Sequence, residues 1–143
     1  MQVVEDQQDQ AVEAKQGQIK ITVCLSLSGI AEGGEEVYKE FQKQITEMEA
    51  NAALGERKCE MGQVGCRGYC SRDVLVDVYV PGEERVTYEK VKPAMVKNIL
   101  NDHIVGGKPF KKAAAKEDYY ETLKKQTRVA LAHGGSIDPE NID

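Results

Sequence analysis

Four cysteines, Cys24, Cys59, Cys66 and Cys70, are the residues whose type and spacing could do chemistry in this chain. An even count in an exported protein would suggest disulfides. Here the N-terminus reads MQVVEDQQDQ, acidic and without a basic-then-apolar pattern, so no secretory leader is expected. A reduced, cytoplasmic setting follows, where thiols hold metals, do redox chemistry or fill a core as small hydrophobes. Cys66 and Cys70 lie four apart across Gly68, a glycine that lets backbone approach a bound centre and frees N–H groups for sulfur. The two histidines, His103 and His133, sit in no catalytic motif, so a hydrolytic triad is not expected.

The 143 residues, 41% apolar and 30% charged, suit one domain with a core of ordinary size. A net charge of −5 lacks the positive field that nucleic acids or anionic membranes require. The apolar runs fall far short of the roughly 20 residues that span a bilayer, so no direct membrane insertion is expected.

The elements that must position the cysteines follow from periodicity. Residues 1–17 are rich in Gln, Glu and Asp and read as a disordered or loosely helical arm. Ile19, Ile21 and Val23 alternate with Lys20, Thr22 and Cys24, the period of a strand buried on one face. Leu25 to Gly29 reads as a loop. From about Glu35 to Ala53, Val37, Phe41, Ile45, Met48 and Ala52 form a helical stripe, stopped at Gly55. A weaker strand covers Arg57–Val64, and Gly65–Cys70 is a glycine-punctuated loop. The sequence DVLVDVYV, Asp73–Val80, is the strongest strand, with Val74, Val76, Val78 and Val80 on one face and Leu75, Asp77 and Tyr79 on the other. Pro81-Gly82 turns the chain into a return strand, Arg85–Tyr88. Pro93 opens a second helix with Met95, Val96, Ile99, Leu100 and His103 on its apolar face, ended by Gly106-Gly107. Residues 111–143 carry little core-building sequence, with a short helix expected around Ala113–Lys125.

The order β-α-β-β-β-α predicts an α/β fold, a four-stranded mixed sheet with flanking helices, of thioredoxin-like plan. With the first and third strands parallel or nearly so, Cys24 and the Cys66/Cys70 loop meet at one end of the sheet. Thiolates from two such loops are the usual holders of an iron–sulfur cluster.

The stretch from Ile19 to Phe110 resembles the thioredoxin-like [2Fe-2S] ferredoxin family, which includes the small ferredoxin-type subunit of complex I-like enzymes and N-terminal domains of flavoprotein subunits of NADH- or NADP-linked hydrogenases and dehydrogenases. The similarity lies in VCLSLSGIAEGGEEV (Val23–Val37), VGCRGYC (Val64–Cys70), LVDVYVPGEERVTYEKV (Leu75–Val91) and HIVGGKPF (His103–Phe110). Gln126–Asp143 is similar to the segment that leads into the FMN-binding part of those subunits. The resemblance implies an arm over 1–17, a ferredoxin domain over 18–110 and a linker over 111–143. It further implies electron transfer or subunit docking in an NAD(P)H-linked flavoprotein oxidoreductase, with other subunits as partners. The chain is not expected to be an enzyme by itself, because FMN and NAD(P)H would bind only on the downstream part.

By the same resemblance, the metal ligands are Cys24, Cys66 and Cys70. The family's first pair is spaced C-x4-C, and the position paired with Cys24 is Gly29, which has no ligating side chain. Cys59 stands seven residues before Cys66; an extended segment of that length spans about 23 Å at roughly 3.3 Å per residue, so a core role is expected. Ser26 or Ser28 offers an oxygen, a harder ligand than thiolate. Two readings stay open, an incomplete [2Fe-2S] centre and a cluster-free structural or assembly module. A zinc site on Cys59, Cys66 and Cys70 lacks the usual paired spacing, and a thiol–disulfide pair lacks C-x-x-C at a helix start. Arg67 reads as solvated loop charge or a tuner of the centre, Tyr119-Tyr120 as partly exposed packing, and Lys108, Lys111 and Lys112 as a solvated face.

Overall fold

Alternation of Ile19, Ile21 and Val23 makes Gln18–Cys24 the central strand, β1, of a four-stranded sheet. A computed structural model describes residues 18–130, 132–134, 137–138 and 140–141; the arm expected over 1–17 lies outside the described residues. The elements after β1 are α1 (Leu27–Ala31), α2 (Gly34–Ala50), β2 (Lys58–Val64), β3 (Val76–Tyr79), β4 (Val86–Tyr88), α3 (Pro93–Ile99) and α4 (Glu117–Lys124). Strand order is β2-β1-β3-β4. β1 pairs with β2 in parallel, Cys24 opposite Val64, as a right-handed crossover through α2 requires.

β3 runs antiparallel to β1, with Ile21 opposite Val78 and Val23 opposite Val76. This corrects the expected parallel pairing of the first and third strands. The convergence of the cysteines survives for a different reason. The C-terminal ends of β1 and β2 and the start of β3 share one sheet end, and the loop from Val64 to Val76 crosses over the end of β1.

Two faces of the sheet are chemically distinct. On one, Ile19, Ile21, Val23, Val76, Val78 and Tyr88 are buried under Val37, Phe41 and Ile45 of α2 and Val96 and Ile99 of α3. At roughly 1.5–3 kcal/mol per fully buried large apolar side chain, this face carries most of the folding drive. The helix from Pro93 continues as a π-helical stretch, Leu100–Val105, and ends at Gly106-Gly107. On the other face, Thr22, Asp77 and Thr87 form a row across β1, β3 and β4 and are all buried.

Three boundaries differ from the sequence reading. Leu25–Gly29 is no open loop: Ser26 accepts a hydrogen bond from the Gly29 N–H at 3.2 Å and caps α1. β3 begins at Val76, later than Asp73, although Val74 and Leu75 are buried. The stretch after 110 does build core: Ala113 and Tyr119 are buried, the Ala115 N–H donates to the Thr87 carbonyl, and α4 is shorter than the span expected for it.

Candidate functional site

Cys24 closes β1. Its N–H donates to the Leu75 carbonyl at 2.9 Å, and its side chain is buried with Val64 and Leu75. The sulfur lies 3.4 Å from Ser26 Oγ and 3.7 Å from the Gly65 carbonyl. Burial pushes the Cys24 thiol up, so it holds its proton.

Cys66 and Cys70 are exposed, free, and 3.5 Å apart at sulfur. Gly68, at φ +84°, permits the tight loop between them and turns its N–H toward Cys66 Sγ at 3.2 Å. The hydrogen bond with Cys66 raises the Cys70 thiol. Ser28 Oγ donates to the Cys70 carbonyl at 3.4 Å and ties α1 to the loop. The structure thus places all three expected ligands at one sheet end but brings only Cys66 and Cys70 into contact.

The remaining donors fall short of a four-thiolate [2Fe-2S] site. Gly29 is buried, and a Cβ there would stand 2.2 Å from the Cys24 carbonyl oxygen. The backbone, and not only the missing side chain, excludes a ligand at that position. Cys59 sits opposite Ile19 at the far end of β2, half-buried against the core. Val64 is five residue steps further along the extended strand, about 16 Å at roughly 3.3 Å per residue. Among the described residues, no three His, Cys, Asp or Glu side chains are grouped to hold a metal ion. Asp73 is buried beside Cys24.

Arg67, between the two exposed cysteines, is neither solvated nor pointed at them. It is 4% exposed and forms an ion pair with Asp77 on β3. Its Nη1 donates to the Tyr119 hydroxyl at 3.4 Å. Asp77 also accepts from Thr87 Oγ1 at 2.6 Å. Burial alone would raise the Asp77 carboxyl; the Arg67 guanidinium and its hydrogen bond outweigh that and hold it below the usual carboxylate range. Tyr119, edge-on to Tyr69 at 4.9 Å between ring centroids, seals the network. Arg72 adds a second staple, to Glu89 at 2.6 Å and Asp118 at 2.7 Å. The sequence carried a signal for this anchor: an acid in the middle of a valine strand must find a cation.

His103 lies on the apolar side of the helix from Pro93, away from the cysteine loop, as part of the core. It is buried, and Tyr88, whose phenol burial pushes up to about 12, stands 2.8 Å from its Nδ1. Lys108, Lys111 and Lys112 are exposed, as a solvated face requires.

Comparison with known proteins gives three findings. The thioredoxin-like [2Fe-2S] ferredoxin family matches residues 10–103. The NADP-reducing hydrogenase subunit HndB of Solidesulfovibrio fructosivorans is 25% identical over 96 residues, 67% of this chain and 71% of that protein. Two structures of a thioredoxin-like [2Fe-2S] ferredoxin from Aquifex aeolicus share the fold. The wild type has a TM-score of 0.57 at 22% identity, covering 69% of this chain and 97% of that one. The second has a TM-score of 0.57 at 24% identity, covering 68% and 90%.

Proposed function

Because the chain belongs to the thioredoxin-like [2Fe-2S] ferredoxin family, we propose that it is a ferredoxin-type domain of an NAD(P)H-linked flavoprotein oxidoreductase, complex I-like or of hydrogenase or dehydrogenase type, whose fold serves subunit docking while its cluster site is degenerate. The observation that carries this reading is the packing of Gly29 against the Cys24 carbonyl, which leaves Cys24, Cys66 and Cys70 without a fourth thiolate. Membership of a larger assembly is supported by the relative from S. fructosivorans, a hydrogenase subunit. It is also supported by Leu27 and Ile30 of α1, 88% and 45% exposed beside the cysteine loop. Large apolar side chains exposed together mark interaction surfaces. Among the described residues, no helix is long and apolar enough to cross a membrane. In this reading residues 18–110 are the docking domain and 111–143 lead toward a flavin-binding part, with Ala113 and Tyr119 fastening the start of that segment to the sheet.

A second reading, electron transfer through a mixed-ligand [2Fe-2S] centre on Cys24, Cys66 and Cys70, is favoured by one observation. The Asp73 carboxyl, buried beside Cys24, is an oxygen donor at the right end of the sheet.

Docking is tested by light scattering of the full chain mixed with the other subunits of its parent enzyme. A stoichiometric complex formed by metal-free protein, weakened at least tenfold by Leu27→Glu, is expected. No complex without reconstituted iron and sulfide would overturn the docking reading in favour of the second.

A further inference from the structure

We propose that Cys66 and Cys70 form a reversible intramolecular disulfide, making the Gly65–Cys70 loop a thiol–disulfide redox site. The proposal rests on the reading that no four-thiolate cluster claims these sulfurs. Spacing alone does not suggest it, since the pair is not C-x-x-C, but the fold does. The two sulfurs are already 3.5 Å apart, free and exposed. A disulfide bond is about 2.05 Å long, so closure asks for roughly 1.5 Å of approach. The loop has room for it: a Cβ built on Gly68 would meet nothing within 4 Å. Both flanks are fixed, by Arg67 on Asp77 and by Arg72 on Glu89 and Asp118, so the thiols stay paired as the tip adjusts. Cys24 and Cys59 do not compete, one being buried and the other at the opposite end of the sheet.

The oxidant is a disulfide, RSSR, of a small molecule or of a partner protein. Cys66 is the attacking sulfur in this scheme: it is exposed, and the Gly68 N–H donates to its Sγ at 3.2 Å and fixes its place in the loop. The Cys66 thiolate attacks one sulfur of RSSR, an S–S bond breaks, and RS⁻ leaves. The Cys70 thiolate then attacks the Cys66 sulfur of the mixed disulfide and expels the second RS⁻. Two thiol protons pass to the two leaving thiolates. In sum, the dithiol is oxidised by two electrons and RSSR is reduced to two RSH. Disulfide and metal binding exclude each other at this pair, because both consume the same thiolates.

The test uses the full chain, chelator-treated, with iron measured before and after. It is equilibrated anaerobically against glutathione buffers from fully reduced to fully oxidised, acid-quenched, alkylated in denaturant so that the buried Cys24 also reacts, and weighed intact. In reducing buffer, four alkyl adducts are expected, one per cysteine. In oxidising buffer, two adducts are expected, with peptide mapping that links Cys66 to Cys70 and no retained glutathione. Cys70→Ser should instead hold one glutathione on Cys66. Four adducts at every ratio, glutathione retained separately on Cys66 and Cys70, or a link through Cys24 or Cys59 would each overturn the proposal. Iron found before chelation would count against the cluster-free reading alone, since the thiol titration is decided on the metal-free sample.

Discussion

At the scale of single residues, Arg67 and Asp77 decide whether the cysteine loop has a fixed shape. Both are buried, so the pair gains less from its attraction than it would lose if one member stood alone. Arg67→Met should therefore cost about 3 kcal/mol, the low end for breaking a buried pair, because Asp77 keeps Thr87 and the charge of Arg85. Replacing Asp77 as well, with Leu, should recover more than half of that loss. Urea unfolding of the single and double variants measures both numbers, and strict additivity would contradict the ion pair.

Gly29 makes the opposite case, a residue that matters for what it lacks. Gly29→Cys restores the family's thiol on paper, but its Cβ would stand 2.2 Å from the Cys24 carbonyl oxygen. Overpacking of this kind costs about 1–3 kcal/mol. The variant should be destabilised by that amount and should retain no more iron after reconstitution than the unaltered chain. Spacing in the sequence showed that Gly29 could not ligate. It could not show that the backbone leaves no room there, because α1 and its Ser26 cap were invisible in a stretch read as a loop.

At the scale of elements, β4 and the π-helical stretch that continues α3 are joined by a polar relay in an apolar setting. The Phe110 N–H donates to the Tyr88 oxygen at 3.2 Å, and the Tyr88 hydroxyl stands 2.8 Å from His103 Nδ1. Burial lowers the His103 pKa below its ordinary value of about 6.5, and Glu83, 3.8 Å from Nε2, offsets part of that. The native state therefore favours neutral imidazole while the unfolded chain takes up a proton. The stability held above about pH 6.5 is lost as pH falls from there toward the lower folded value. Asp77, whose carboxyl is held low, adds a separate loss only below about pH 4. Denaturation midpoints should fall between pH 7 and pH 5, and His103→Gln should flatten that slope while leaving the acid limb near pH 4 in place.

Element by element, legibility followed periodicity. The stripe Val37, Phe41, Ile45, Met48 and the face Val74, Val76, Val78 could be read because their apolar side chains recur at 3.6 and 2. The antiparallel run of β3 could not, because strand direction depends on how the loop from Val64 to Val76 crosses β1. Tyr119 was hidden by its charged neighbours: one aromatic ring can fill the polar face of the sheet without any local pattern.

At the scale of the whole molecule, the fold gathers its chemistry at one end of the sheet and leaves it short of a donor. Cys24 is buried, Cys66 and Cys70 are paired and exposed, and Gly29 is closed off. The two arginine staples, Arg67 on Asp77 and Arg72 on Glu89 and Asp118, brace this end of the sheet. The most direct test is anaerobic reconstitution of the full chain with iron and sulfide, followed by iron and acid-labile sulfide analysis and EPR of the reduced protein. A folded, monodisperse sample with well under one iron per chain and no [2Fe-2S] signal is the result expected. Near two irons and two sulfides per chain with a rhombic reduced signal would contradict the account and make this domain an electron carrier.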